Sequence, residues 1–132
     1  MKTKDDIVAD WLPRYTGRPL DSFGQFILLS NFAHYVDLFA ERFQVEVMGR
    51  DKPMLSATAE NITIMNFGMG SAMAATAMDL LGAVAPQAVL FLGKCGGLKK
   101  TKVGDFILPI AAIRGEGTSN DYLPRKSPHY AG

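Results

Sequence analysis

The fold is decided by the stretch Ile62-Thr63-Ile64-Met65-Asn66-Phe67-Gly68-Met69-Gly70-Ser71. Its first six residues are typical of a buried strand, and the two glycines after them predict a tight turn. A helix is predicted to begin at Ser71 and to run through Ala83. The small side chains of this segment would let the helix lie close to a sheet; they are Ala72, Ala74, Ala75 and Ala77. A strand that leads directly into a helix is the repeating unit of α/β folds.

The same alternation continues on both sides of this stretch. An N-terminal helix within residues 1–14 is predicted to stop at Pro13, and a second helix to begin after Asn31 as its cap. Further strands are predicted at Gln25–Ser30, Val45–Met48, Met54–Ala59, Ala88–Leu92 and Val103–Pro109. The second helix carries an apolar stripe at helical spacing, made of Phe32, Tyr35, Val36, Phe39, Ala40 and Phe43. This pattern predicts an α/β layer fold with parallel strands, in which Gln25–Ser30 and Ala88–Leu92 are buried.

The composition favours a globular domain and argues against nucleic acid or a membrane as a partner. The 132 residues are 48% hydrophobic and 20% charged, which is typical of one globular domain. A formal net charge of +1 provides no broad field for nucleic acid or an anionic membrane, so neither is expected as a partner. No apolar run approaches the roughly 18 residues of a membrane span. Cys95 is the only cysteine, which favours a reducing compartment, and we expect a cytoplasmic protein.

The first candidate site is the turn formed by Gly68, Met69, Gly70 and Ser71. Glycines between a strand and a helix let the backbone approach a ligand, and they direct the N–H groups of the helix start at it. Phosphates and sugar hydroxyls are natural occupants of such a turn. The third glycine of a dinucleotide fingerprint is absent, so a purely structural turn is the alternative interpretation.

Two further candidates follow the Ala88–Leu92 strand. Lys94, Cys95 and Gly96 come after a strand end, where open α/β sheets bind ligands, and a lysine among glycines suits phosphate. Cys95 is interpreted as a small buried thiol rather than a nucleophile. The third candidate is a polar loop that either covers a substrate or is a surface linker; its residues are Arg114, Glu116, Gly117 and Thr118.

The remaining polar clusters are assigned no chemistry. Lys99, Lys100 and Lys102 form a basic turn, and such clusters are usually solvated. His34 falls on the polar side of its helix and is expected to be exposed. No set of His, Cys, Asp and Glu has metal-ligand spacing, so no metal is expected.

Three segments together resemble AMP nucleosidases, a family within the nucleoside phosphorylase superfamily. They are Asn66-Phe67-Gly68-Met69-Gly70-Ser71, Leu90-Phe91-Leu92-Gly93-Lys94-Cys95-Gly96-Gly97-Leu98-Lys99, and the run from Leu108 to Pro124 that contains Arg114-Gly115-Glu116-Gly117-Thr118. The resemblance covers residues 15–124. It implies a three-layer αβα fold, hydrolysis of AMP to adenine and ribose 5-phosphate in purine salvage, a homo-oligomer, and neither metal nor organic cofactor.

Departures from related patterns indicate which reaction is catalysed. Bacterial purine nucleoside phosphorylases hold inorganic phosphate with an arginine and a serine where this chain has Phe91 and Lys94, and Asn31 and Tyr35 align with two further phosphate-binding positions. Losing charged donors from an anion site favours water as the nucleophile. Lys94 is then available for the 5′-phosphate of a nucleotide. Met73 stands where the AMP nucleosidase pattern has asparagine.

The resemblance also implies that the domain is incomplete at its C-terminus. Residues 125–132 are expected to form an irregular tail, and the family's Met-Glu segment and proton-donating aspartate have no counterpart in this chain. No residue of the chain is therefore assigned as catalytic, and the 132 residues alone are expected to have little or no activity. The alternatives are a purine nucleoside phosphorylase and a non-catalytic nucleotide-binding fragment.

Overall fold

The computed structural model describes residues 1–123, so Pro124 and the predicted tail at residues 125–132 lie outside the described part. The chain divides into two compact units, Met1–Gly93 and Lys94–Gly132. The first unit contains the helices and the sheet. The second is described by itself below. None of the helices within residues 1–123 has the length and apolar character that crossing a membrane would need.

The first unit contains a four-stranded sheet in the order β2-β3-β1-β4. Strand β1 pairs in parallel with both β3 and β4, as predicted. The prediction of parallel strands is wrong for β2, which pairs antiparallel with β3. In chain order the elements are α1 (Lys4–Thr16), β1 (Phe26–Ser30), α2 (Ala33–Phe43), β2 (Ser56–Ala59), β3 (Ile62–Asn66), α3 (Ser71–Leu81) and β4 (Ala88–Leu92). Short 3-10 turns follow α1 at Leu20–Ser22 and α3 at Gly82–Val84.

Helices cover both faces of this sheet. On one face, Ile27 and Leu29 of β1 belong to a buried cluster with Leu12 of α1 and with Ala77 and Leu80 of α3. On the other face, the buried residues Val36 and Ala40 of α2 cluster with Ala57 and Ile64. Alternate residues of a strand point to opposite faces, so β1 contributes to both clusters. The predicted three-layer αβα arrangement is confirmed, and so is the burial of β1 after Phe26, which is 40% exposed.

Helix α1 begins as the sequence indicates but ends later. Thr3 and Asp6 form a capping box, with the Thr3 N–H donating to Asp6 Oδ2 over 2.9 Å. The prediction that Pro13 stops the helix is wrong, because α1 continues to Thr16. The last turn is held by the Thr16 hydroxyl, which donates to the Leu12 carbonyl over 2.8 Å. Leu12 and Thr16 are fully buried, so their packing offsets the hydrogen bond that proline cannot make.

The capping box makes the start of α1 sensitive to acid. Hydrogen bonds from the Thr3 backbone and side chain lower the pKa of Asp6. A carboxylate whose pKa is lower in the folded state stabilises the fold above the usual carboxylate range of about 4, and this contribution is lost as the pH falls through the folded pKa. Asp6→Ala should therefore lower the melting temperature at pH 7 and lose most of that difference at about pH 2, where the carboxyl of the wild type is protonated as well. Thermal unfolding of wild type and variant at both pH values measures this. An equal difference at the two pH values would contradict it.

Two predicted helix boundaries and one predicted strand are corrected by the structure. Asn31 does not cap α2, because Phe32 takes that position and provides no side-chain cap. Residues 45–48 form no strand: the Val45 N–H closes the end of α2 on the Ala40 carbonyl at 3.0 Å, and only Met48 makes a bridge, with Ser56. Helix α3 ends at Leu81, two residues before the predicted end, and passes into a 3-10 turn.

Two further strand predictions are also corrected, one in its burial and one in its existence. Strand β4 forms where expected, yet Leu90 and Phe91 are 59% and 57% exposed. In the described sheet β4 is an edge strand that pairs only with β1, which explains this exposure. The segment Val103–Pro109 is not a strand, and Phe106 is 96% exposed. Within residues 94–123 no other segment pairs with it, and a strand needs a neighbour for its backbone hydrogen bonds.

Candidate functional site

The parallel strands end together at one edge of the sheet. Ser30, the last residue of β1, is in register with Asn66 of β3 and with Leu92 of β4. The carboxyl ends of the three parallel strands therefore lie side by side. Ligands of open α/β sheets bind outside such ends, so this edge is where the sheet itself favours a site.

Ser30 organises the hydrogen bonds of this edge. Its carbonyl accepts from the Phe67 N–H at 3.1 Å and from the Asn66 side-chain nitrogen at 3.3 Å. Its hydroxyl accepts from the Phe32 N–H at 3.1 Å. Ser30 is fully buried and Asn66 is 8% exposed, so these bonds are shielded from water. They fix the direction in which the chain leaves β1 and β3.

The glycine turn begins at this same edge. Gly68 and Gly70 have backbone φ angles of 84° and 95°, values that residues other than glycine rarely adopt. A Cβ added at either position would meet no atom of residues 1–123 within 4 Å, so both glycines border open space in this part of the chain. Gly70 is the N-cap of α3 and provides no side-chain cap for the helix start. The turn therefore presents accessible backbone and the positive end of a helix dipole, which together suit an anion.

The structure places the residues of the first candidate together. Gly68, Met69, Gly70 and Ser71 lie between β3 and α3, and the Met69 side chain is 75% exposed. The other two candidates belong to the second unit. The predicted site residues therefore form three local groups, one in the first unit and two in the second.

The second candidate consists of exposed residues. Lys94, Cys95 and Gly96 are all exposed. The interpretation of Cys95 as a buried thiol is therefore wrong, and the reason is that no described packing layer covers this segment. The predicted exposure of the basic turn is confirmed, because Lys99, Lys100 and Lys102 are exposed as well. Exposure of His34 on α2 is likewise confirmed.

The third candidate is a loop held by its own charged side chains. Arg114 donates from Nη1 to Asn120 Oδ1 and to the Leu123 carbonyl, both at 2.8 Å. The Glu116 carboxylate accepts from the Ser119 N–H at 3.2 Å and from the Ser119 hydroxyl. Gly117 caps the 3-10 turn Thr118–Asp121. Arg114 and Glu116 therefore hold this loop in shape through hydrogen bonds within the loop itself.

One polar residue at the strand ends was not predicted as a ligand contact. Asn31 follows Ser30 directly, and its side-chain oxygen Oδ1 is buried without a hydrogen-bond donor in the part of the chain that the structure describes. Sequence reasoning assigned Asn31 to the cap of α2 and aligned it with a phosphate-binding position of purine nucleoside phosphorylases, without making it a site residue of this chain. A polar residue immediately after a buried parallel strand was the available signal.

Metal-binding groups are not found in the described chain. Among residues 1–123, no three side chains of His, Cys, Asp or Glu lie close enough together to hold a metal ion. That neither a metal nor an organic cofactor takes part stays a prediction.

The fold and the glycine turn together define a class of protein. The family model of the phosphorylase superfamily matches residues 25–132, and the chain belongs to this superfamily. Within it, the chain is 60% identical to a solved AMP nucleosidase from Bacteroides thetaiotaomicron VPI-5482, with a TM-score of 0.87 over 96% of this chain and 54% of that one. It is also 26% identical to the AMP nucleosidase of Escherichia coli K12 over 89% of this chain.

Both relatives are longer than this chain. The chain spans 32% of the length of the Escherichia coli protein and 54% of the Bacteroides structure. The resemblance to AMP nucleosidases and the αβα fold that it implies are confirmed by these comparisons.

Proposed function

We propose that this protein hydrolyses the N-glycosidic bond of AMP and releases adenine and ribose 5-phosphate. The observation that carries the proposal is 60% identity, across 96% of this chain, to a protein named AMP nucleosidase. Phe91 and Lys94 support hydrolysis over phosphorolysis, since the arginine and serine that position phosphate as a nucleophile are replaced.

The reaction breaks the bond between C1′ of ribose and the purine nitrogen. The bonding electron pair leaves with adenine, which takes up a proton, while a water oxygen attacks the cationic sugar carbon and loses its proton. Such a transition state needs groups that hold the ribose phosphate in place. We assign this role in the first unit to Gly68, Met69, Gly70 and Ser71, whose backbone suits an anion.

The candidates of the second unit are proposed as further substrate contacts. Lys94 supplies a compact cation for the 5′-phosphate, and Cys95 and Gly96 provide accessible backbone beside it. Arg114, Glu116, Gly117 and Thr118 form the ordered loop that we propose contacts the substrate. We further propose a cytoplasmic homo-oligomer that acts in purine salvage, on the basis of its resemblance to AMP nucleosidases.

The protein in its natural full length should release adenine from AMP at a rate that does not depend on inorganic phosphate. Chromatographic detection of adenine and ribose 5-phosphate, with and without added phosphate, measures this. Gly68→Ala should raise the KM for AMP by about tenfold, because the new Cβ occupies the open space beside the turn. Gly82→Ala is the matched control, since Gly82 is exposed and has helical backbone angles. A strict requirement for phosphate would contradict hydrolysis and indicate a phosphorylase.

A further inference from the structure

We propose that the side-chain oxygen of Asn31 accepts a hydrogen bond from an O–H group of the reacting system, either a ribose hydroxyl or the attacking water. This inference rests on the proposed function and deepens it. It adds a ligand contact directly after β1 to the glycine turn that follows β3.

The position of Asn31 is the first observation. It is the residue directly after Ser30, at the edge where β1, β3 and β4 end in register. Along β1, Ile27 and Leu29 face the layer formed by α1 and α3. Alternation along the strand assigns residue 31 to that same side, which is the side on which α3 begins.

The hydrogen bonding around Asn31 is the second observation. Three donors at the same strand ends are already used: the Phe32 and Phe67 N–H groups and the Asn66 side chain all donate to Ser30. Oδ1 of Asn31 is buried and receives no hydrogen bond from residues 1–123. Buried polar atoms of this kind are rare in native proteins because they cost stability, and a bound ligand or water at a functional site is one explanation for them.

The chemistry of an amide oxygen restricts the partner. It only accepts hydrogen bonds, so it repels a phosphate oxygen, which is largely unprotonated at neutral pH. The glycine turn has the opposite character, because its N–H groups suit an anion. A ribose phosphate can bind to both groups, because its ring hydroxyls can donate to Asn31 Oδ1 and its anionic phosphate can accept from the N–H groups of the glycine turn. A water that attacks C1′ offers the same O–H donor.

The test compares Asn31→Leu with wild type in the protein of natural full length. Leucine keeps a similar volume and removes the acceptor. The probes are AMP, adenosine, ribose 5-phosphate, 2′-deoxy-AMP and 3′-deoxy-AMP, with binding measured by calorimetry and adenine release by single-turnover kinetics. Gln87→Leu is the matched control, since Gln87 is exposed next to the opposite end of β4.

If a ribose hydroxyl is the donor, Asn31→Leu weakens AMP binding by about tenfold or more, and the deoxy analogue that lacks this hydroxyl binds both proteins equally. If the attacking water is the donor, binding is retained and adenine release slows by about tenfold or more. Both results support the inference. Binding and turnover that both stay within about twofold of wild type would overturn it, and would assign Asn31 a structural role only.

The melting temperature separates a lost contact from a lost fold. Removing an unsatisfied acceptor should leave the Asn31→Leu protein as stable as wild type or more stable. If the variant does not fold, the side-chain amide signal of Asn31 in 15N-labelled wild type is followed during titration with AMP. A shift of this signal supports the inference, and an unchanged signal at saturation overturns it.

Failure of this inference is distinguishable from failure of the proposed function. Adenine release by wild type together with an unaffected Asn31→Leu variant would reject only the role of Asn31. Asn31-dependent binding of adenosine or ribose 5-phosphate without release of adenine from AMP would reject only the proposed reaction.

Discussion

Gly49→Ala is expected to destabilise the protein by about 3 kcal/mol or more, through the contact between the end of α1 and the segment that leads into β2. Gly49 has a φ of 79°, which costs a side-chain-bearing residue energy by itself. A Cβ here would lie 2.7 Å from the Met54 carbonyl oxygen and closer still to the Thr16 carbonyl oxygen. Both of these atoms are backbone, so the clash is not relieved by a rotamer change.

The surroundings of Gly49 make this clash difficult to relax. Met54 and Thr16 are fully buried, and the Met54 N–H donates to the Tyr15 carbonyl at 2.9 Å. Moving either segment would disturb the cluster that joins α1 to the sheet. Denaturant unfolding of Gly49→Ala and of Gly82→Ala provides the measurement, because the second variant should gain about 0.5 kcal/mol at an unstrained position. Stabilities of the two variants that agree within about 0.5 kcal/mol would contradict the account.

Arg18→Ala is expected to lower the free energy of unfolding by about 2–4 kcal/mol. This is the second largest effect that we expect from a single substitution. Arg18 is only 6% exposed, and burial lowers its pKa while the charge of Glu46 raises it. Its Nε donates to the Ser56 hydroxyl at 3.0 Å and its Nη2 to the Ser56 carbonyl at 3.4 Å. The guanidinium also lies 5.9 Å from the centre of the Phe23 ring. Truncation would leave the buried Ser56 without these donors.

Arg14 provides the matched control for Arg18. It lies four residues earlier on the surface of α1, where it pairs with Asp10 at 2.9 Å. Exposed pairs of this kind contribute little, so Arg14→Ala should change stability by about 0.5 kcal/mol or less. Arg18→Lys should recover only part of the loss, since an ammonium cannot reproduce the fork of a guanidinium. Denaturant unfolding of all three variants measures the series, and equal costs for Arg14→Ala and Arg18→Ala would refute it.

The sequence predicted the central layers because their signals are local. Each of β1, β3 and β4 is a short apolar run bounded by turn residues, and each forms within a residue of its predicted limits. The start of α3 is marked by Gly68 and Gly70, whose positive φ only glycine adopts easily. The glycine-turn candidate could therefore be located from the sequence.

The errors arise where distant residues decide the local structure. Pro13 stays within α1 because Leu12 and Thr16 are buried against the rest of the unit, which no local pattern shows. The exposure of Leu90 depends on β4 being at the edge of the described sheet. The unsatisfied oxygen of Asn31 depends on which donors the fold brings to the strand ends, and those of Phe32, Asn66 and Phe67 bond to Ser30.

A crystal structure of the natural full-length protein with adenine and ribose 5-phosphate bound would test the central claim most directly. The account predicts the phosphate or the ribose within hydrogen-bonding distance of the backbone at Gly68–Ser71, and an O–H group on Oδ1 of Asn31. Ribose 5-phosphate bound away from the carboxyl ends of β1 and β3, with open space still beside Gly68 and Gly70, would contradict it.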